Sequence, residues 1–265
     1  MSDMAPVSED YAARFGGIAR VYGVEAAAQI RGMHIAVIGV GGVGSWAVEC
    51  LARTGVSEIT LIDHDDICQT NINRQIHAQS STLGENKIEV MAERVRQINP
   101  DCQCHVIDDF LTMSNMEEYL SRGYDYVIDA IDSIKFKAEL INYCQRNKVP
   151  VITTGGAGGM TDPVQVTVAD LSRTTNDALA AKLRSRLRKE YGFTRNPKKK
   201  FGIECVYSPQ QPVYPKEDGS VGYEKPGIHG VNLDCRFGYG SFSGVTATFG
   251  FIAASRAINR LLKLV

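Results

Sequence analysis

The chain has 265 residues, enough for one large or two small domains with a self-sufficient core. Its 29 Lys and Arg nearly cancel 30 Asp and Glu, and 44% of it is hydrophobic, which excludes a uniformly basic nucleic-acid protein and an acidic disordered chain. Seven scattered cysteines without a C-x-x-C pair argue against a disulfide framework and a cysteine-built zinc site, so no zinc is expected. The first fifteen residues hold no apolar run, which points to the cytoplasm.

His34–Ile38 reads as a buried strand, followed by a glycine cluster and an amphipathic helix to Thr54 that Gly55 closes. Glu58–Asp63 is a second strand, Glu85–Ile98 a helix stopped by Asn99-Pro100, and Gln103–Asp108 a third strand. Tyr124–Asp129 and Val149–Thr154 are the next strands, with a helix over Ser133–Asn147 between them. Such alternation means βαβ units and a parallel sheet. After Gly155–Gly159 the rhythm breaks into a strand over Val164–Val168, a basic helix over Asn176–Tyr191 and a strand over Phe201–Ser208. A Pro/Gly-rich loop from Pro209 to Gly230 and a closing helix follow. The expected architecture is α/β, a Rossmann-like, mostly parallel sheet with helices on both faces, extended by a C-terminal strand-and-helix region. Residues 1–30 form a helical arm, 31–160 the nucleotide-binding part and 161–265 a C-terminal part, expected as one continuous domain.

Residues 237–255 carry no charge over 19 residues, long enough to span a bilayer. Nine of those 19 are Gly, Ser or Thr, and Arg236 and Arg256 flank the segment symmetrically, so a buried helix is expected and no stable membrane association.

Gly39, Gly41 and Gly44 fit G-x-G-x-x-G between a predicted strand and a predicted helix, with Gly42 and Ser45 in the same turn. Such a turn lets phosphate approach the backbone, and the helix N-terminus supplies oriented N–H groups. Asp63, 19 residues after Gly44, ends the next strand where it can hydrogen-bond a ribose. On these features alone a nicotinamide-dependent dehydrogenase is a fair reading. The polar segment that follows, with Asp65, Asn73, Arg74 and Gln75, and then Lys87, has no counterpart there. Cations in that place suit a triphosphate, Arg as a fork and Lys as a point charge. Asp132, just past the fourth strand, is placed to hold Mg²⁺ between phosphates or to cap the following helix, or both.

Taken together, Gly39–Ser45, Asp63, the Asn71–Gln75 segment, Lys87 and Asp129–Asp132 resemble the adenylating enzymes of the ubiquitin-activating (E1-like) superfamily, over roughly residues 14–170. The resemblance implies attack of a carboxylate on the α-phosphate of ATP, giving an acyl adenylate and pyrophosphate. It implies that Gly39, Gly41, Gly42, Gly44 and Ser45 cradle phosphate, that Asp63 binds the ribose and that Asp65 belongs to the nucleotide site. Asn73, Arg74, Gln75 and Lys87 then meet the triphosphate and Asp132 serves Mg²⁺, with Arg74, Lys87 and Asp132 as the catalytic set. It also implies a homodimer in which an N-terminal arginine, Arg14 or Arg20, reaches the partner's ATP. The sequence Arg14-Phe15-Gly16-Gly17 departs from the superfamily's usual arginine motif.

Between Lys182 and Lys200 nine Lys and Arg stand against a single Glu190, in an otherwise neutral chain. Lys182, Arg184, Arg186, Arg188, Lys198, Lys199 and Lys200 suit a phosphate backbone, against the plain alternative of a solvated helix face. With the Thr153–Gly159 run and the Val245–Phe251 stretch, the chain resembles a tRNA-modifying branch of the superfamily. That branch implies dehydration of threonylcarbamoyladenosine, beside the anticodon, to a cyclic form. Cys235, next to Arg236, is a candidate sulfur acceptor from a cysteine desulfurase. The alternative reading is an activator of a ubiquitin-like or sulfur-carrier protein.

Overall fold

A computed structural model describes residues 7–216, 218–224 and 240–265. In chain order it contains α1 (Glu9–Tyr22), α2 (Val24–Arg31), β1 (His34–Ile38), α3 (Gly44–Arg53), β2 (Glu58–Asp63), α4 (Lys87–Ile98) and β3 (Gln103–Asp108). Next come α5 (Met116–Leu120), β4 (Tyr126–Asp129), α6 (Ile134–Asn147), β5 (Val151–Thr154), β6 (Thr167–Asp170) and α7 (Ala178–Glu190). β7 (Glu204–Tyr207), a small hairpin of β8 (Tyr214–Pro215) and β9 (Val221–Gly222), and α8 (Ser243–Leu261) complete it.

Seven strands form one sheet in the order β3-β2-β1-β4-β5-β7-β6, parallel throughout except that β6 runs antiparallel to β7. The C-terminal strands therefore extend the same sheet. Strand β1 is buried along nearly its whole length because helices cover both faces. Its alternate residues divide the molecule into two cores. Ile35 and Val37 join a cluster with Val48 and Leu51 of α3, Met91 and Val95 of α4 and Phe249 of α8. Ala36 and Ile38 join the other, with Leu120 of α5, Leu140 of α6 and Leu183 of α7. Each fully buried Leu or Ile contributes roughly 1.5–3 kcal/mol of transfer free energy.

Strand order reverses between β1 and β4, where Ile38 lies in register with Asp129. Loops leaving the two strands diverge there and open a crevice at the carboxyl edge of the sheet. The helical arm docks onto the same body, with Tyr11 and Phe15 buried and the Tyr11 hydroxyl donating to Gly55 O at 2.6 Å.

The strand expected over Val164–Val168 lies instead at Thr167–Asp170, after a 3-10 turn over Pro163–Gln165. Pro163 has no N–H for a ladder, and Asp162 accepts from Val164 N at 3.0 Å, which fixes the turn. The loop expected from Pro209 holds the β8–β9 hairpin, and its last residues, like Cys235 and 237–239, lie outside the described set. Among the described residues no helix is long and apolar enough to cross a membrane. α8 packs instead on α3, closely enough that a Cβ at Gly250 would sit 2.5 Å from Val43 O and 2.8 Å from Ala47 N.

Candidate active site

The crevice at the β1–β4 switch is an open cavity of about 480 Å³. Gly39 begins its floor with a φ of 85°, and a Cβ there would meet Ala130 O at 2.9 Å. Only glycine fits this position. Two backbone bonds hold the turn flush with the sheet: Gly39 N donates to Ile62 O and Ala130 N to Ile38 O, both at 2.9 Å. Asp63 sets the turn's shape, since Oδ2 accepts from Val40 N at 2.6 Å and Oδ1 from Asp65 N at 2.9 Å. Each oxygen keeps a further lone pair for a hydroxyl donor.

The cationic wall is built from the segment after β2. Lys87 opens α4 and is almost wholly buried, with Nζ 2.7 Å from Asp65 Oδ2, a half-exposed carboxylate. Arg74 crosses beneath Gly42, where an added Cβ would lie 3.3 Å from its Cδ. Its guanidinium donates to Thr70 O at 2.5 Å and Asn73 Oδ1 at 3.1 Å, and its carbonyl accepts from Trp46 Nε1 at 2.9 Å. Trp46 comes from α3, so that helix and the arginine are fixed against each other. Asn73 donates in turn to Ser241 O at 2.9 Å, beside the start of α8.

The opposite wall rests on a buried ion pair. Lys137 Nζ lies 2.9 Å from Asp129 Oδ2, and both side chains are inaccessible to solvent. The same ammonium donates to Ile131 O at 2.9 Å, and Thr153 Oγ1 donates to Asp129 Oδ2 at 2.7 Å. This network holds the Ala130–Asp132 corner, from which the exposed Asp132 faces the cavity. Ser133, not Asp132, occupies the cap position of α6. Gly155 and Gly156 close the floor. Asp177 receives the Gly156 N–H at 3.0 Å, caps α7 through Ala180 N at 2.8 Å, and its carboxyl is pushed up by burial. A Cβ on Gly155 would lie 1.8 Å from that carboxylate.

Gly39, Gly41, Gly42, Asp63, Asp65, Arg74, Gln75, Lys87 and Asp132 thus meet on one cavity wall or another. Gly44, Ser45 and Asn73 do not line it. Gly44 is needed for packing, since a Cβ would fall 1.8 Å from Gly39 O, Ser45 is fully buried, and Asn73 braces Arg74. Sequence reasoning missed Lys137, Asp177 and the exposed Phe110, which lines the cavity and packs edge-on against His64 at 4.8 Å. His64, hydrogen-bonded to Asp108 at 2.9 Å, is raised above its ordinary range by that bond.

The sequence model of the ThiF family matches residues 15–264. The chain belongs to the ThiF family. A Haemophilus influenzae relative, a tRNA threonylcarbamoyladenosine dehydratase, is 54% identical over 96% of this chain and 95% of its own length. The Escherichia coli K12 protein of the same name is 54% identical over 97% of this chain and 96% of its own. The fold is that of the crystal structure of E. coli tRNA N6-threonylcarbamoyladenosine dehydratase, TcdA, in complex with ATP. The TM-score is 0.88, with 50% identity and 98% of both chains covered.

Several features of this ThiF-family chain lie outside the cavity. The basic segment divides in two. Arg184, Arg186 and Arg188 are half-buried and engaged: Arg184 with Thr174 Oγ1, Arg186 with Glu190 at 2.8 Å, and Arg188 over the Phe201 ring at 5.3 Å. Lys182, Lys198, Lys199 and Lys200 stand exposed. In the arm, Arg14 pairs with Asp10 at 2.6 Å and Arg20 is exposed. Burial pushes the Cys102, Cys104 and Cys144 thiols up to about 12. Cys68 is exposed, and Cys235 lies outside the described residues.

Proposed function

We propose that this chain is an ATP-dependent tRNA-modifying dehydratase that converts threonylcarbamoyladenosine in tRNA to its cyclic form. The observation that carries it is the glycine turn, Asp63 and the Arg74–Lys87 wall around one cavity, in a chain that aligns with curated dehydratases over nearly its full length.

The reaction follows from the chemistry of its ends. A threonine carboxylate oxygen attacks the α-phosphorus of ATP and pyrophosphate leaves. A nitrogen of the neighbouring ureido group then attacks the acyl carbon, closes a five-membered ring and gives up its proton. AMP departs with the former carboxylate oxygen, so the tRNA loses the elements of water. The nucleophile is already on the substrate, so holding it against the acyl carbon supplies much of the rate. The chain's part is to bind phosphates and stabilise developing charge.

In this reading Gly39, Gly41 and Gly42 let the phosphates approach the backbone and Asp63 holds the ribose. Arg74 and Lys87 neutralise the triphosphate, while Asn73 and Asp177 position the walls. Asp132 suits Mg²⁺, which prefers oxygen donors and keeps several waters. When bound, the ion neutralises phosphate charge, and the exposed carboxylate on the cavity wall is the residue to hold it. The exposed lysines 182 and 198–200 grip the tRNA backbone, and the chain works as a homodimer in the cytoplasm. Sulfur acceptance at Cys235 is not needed for any of these steps.

The test is mass spectrometry of nucleosides from tRNA bearing threonylcarbamoyladenosine, incubated with the chain, Mg²⁺ and ATP. Loss of one water that requires ATP is expected. ATP turnover without that mass change would move the substrate to a carrier protein and make Cys235→Ala the next variant.

A further inference from the structure

The amino edge of the sheet, at the far end from the ATP cavity, carries a second cluster of chemistry-bearing side chains. His34 opens β1, Glu58 opens β2 and His105 lies in β3. His34 is in register with Glu58, and Thr60 with His105. Alternation along each strand therefore puts His34, Glu58, Thr60 and His105 on one face of three neighbouring strands. Cys102 and Cys104 pack into the core on the other face and are not part of the cluster.

Glu58 Oε1 lies 3.4 Å from His34 Nδ1 and 3.1 Å from His105 Nε2. One donor atom from each of the three residues falls within 4.8 Å of the other two. A tetrahedral cation with bonds of about 2.0–2.1 Å to nitrogen and oxygen separates adjacent donors by about 3.4 Å. The carboxylate-to-imidazole spacings match two edges of such a polyhedron. The second nitrogen of His34, Nε2, lies 2.9 Å from Thr60 Oγ1. That contact is what an outer-shell partner of a ligating imidazole provides. If Nε2–H donates to the hydroxyl, Nδ1 turns a lone pair on the carboxylate, and two acceptors face each other unless a cation lies between them.

We propose that His34, Glu58 and His105 bind a divalent transition-metal cation of the zinc class, leaving a fourth position for water. The Glu58 and His105 side chains are 39% and 46% exposed, so the ion and its water reach the site from solvent. The expectation of no zinc rested on cysteine ligands, and this site uses none. Along β2 the five steps from Glu58 to Asp63 separate it from the ATP cavity by about 16 Å, so the cation takes no part in phosphate chemistry. It ties the amino ends of β1, β2 and β3 together. The inference is independent of the proposed reaction.

The experiment is calorimetric titration of chelator-stripped full-length chain with ZnCl₂, with CoCl₂ as the spectroscopic probe. The wild type should bind one equivalent, show the visible bands of tetrahedral Co²⁺ and melt at a higher temperature with Zn²⁺. His105→Ala and Glu58→Gln should each weaken Zn²⁺ binding by more than about ten-fold, since even outer-shell losses cost about 10–100-fold, and leave ATP binding unchanged. Absence of saturable binding, or binding that survives unchanged in both variants, would overturn the proposal.

Discussion

Replacing Lys137 with methionine removes the ammonium but keeps most of the side chain's bulk. Asp129 then stays in the core with one hydroxyl, Thr153 Oγ1 at 2.7 Å, and one N–H, Ile131 N at 3.2 Å, as its partners. Both members of the pair are inaccessible to solvent, so water cannot compensate the lost charge. Breaking a buried pair on one side costs about 3–5 kcal/mol. At roughly 2–4 °C per kcal/mol for a chain of this size, the melting temperature should fall by about 6–20 °C. Lys137→Met/Asp129→Asn should recover much of that loss, because no unpaired charge remains. Lys137 also anchors Ile131 O at 2.9 Å, so ATP affinity should drop along with stability in the single variant. Urea and thermal unfolding of the two variants, with calorimetric ATP titration at a temperature where both are folded, measure these effects. A single variant within about 1 kcal/mol of wild type would refute the account of the cavity wall.

Lys87→Ala should reduce the ATP-dependent mass loss from modified tRNA by about 10²-fold or more, the scale of one lost charge-stabilising donor. Its fold should be retained because the abandoned Asp65 is half-exposed, which circular dichroism and melting would check. Buried His77, 2% exposed, is pushed down to about 4 by burial and by Lys87 and Arg94. A histidine whose folded value lies below its unfolded one loses stability as pH falls, so folding should weaken by up to about 1.4 kcal/mol per pH unit between about pH 6.5 and about pH 4. In His77→Phe that part of the urea-unfolding slope should be absent. Alanine at Lys198, Lys199 and Lys200 together should lower the salt dependence of tRNA binding, by about 0.7–0.9 in log–log slope for each phosphate no longer neutralised. An unchanged slope in filter-binding titrations would detach this loop from the tRNA.

The strands β1, β2 and β3 were legible to the residue because short segments rich in β-branched and apolar residues, continuous in β1 and interrupted by polar residues in β2 and β3, lie between turn and helix signals. Where the cavity opens was not legible, since it depends on the strand order, which reverses between β1 and β4. Residues whose role depends on distant partners were not legible. A lysine within the pattern of α6 reads as a surface charge, and only the fold reveals Asp129 opposite it. Asp177 falls inside the helix expected over Asn176–Tyr191, and its bond to Gly156, 21 positions away, needs the loop crossing. The glycine motif was found whole, but its members play different parts. Gly39, Gly41 and Gly42 line the cavity, while Gly44 fills a gap where no Cβ fits. For the basic segment, charge number does not reveal that Arg184 and Arg188 also hold Thr174 and the Phe201 ring.

The close fit of Gly250 against the backbone of α3 has a bearing on how the molecule is made. α8 is the final described element in chain order, yet it packs on the helix that starts just past the glycine turn, and Thr246 lies 3.5 Å from the carbonyl of Arg74. During synthesis β1, the glycine turn and α3 emerge early and wait with one apolar flank uncovered until the ribosome has released the chain through α8. Assembly of the glycine-turn cavity should therefore wait on the synthesis of α8: a nascent chain arrested before α8 should expose that flank to chaperones and bind ATP poorly.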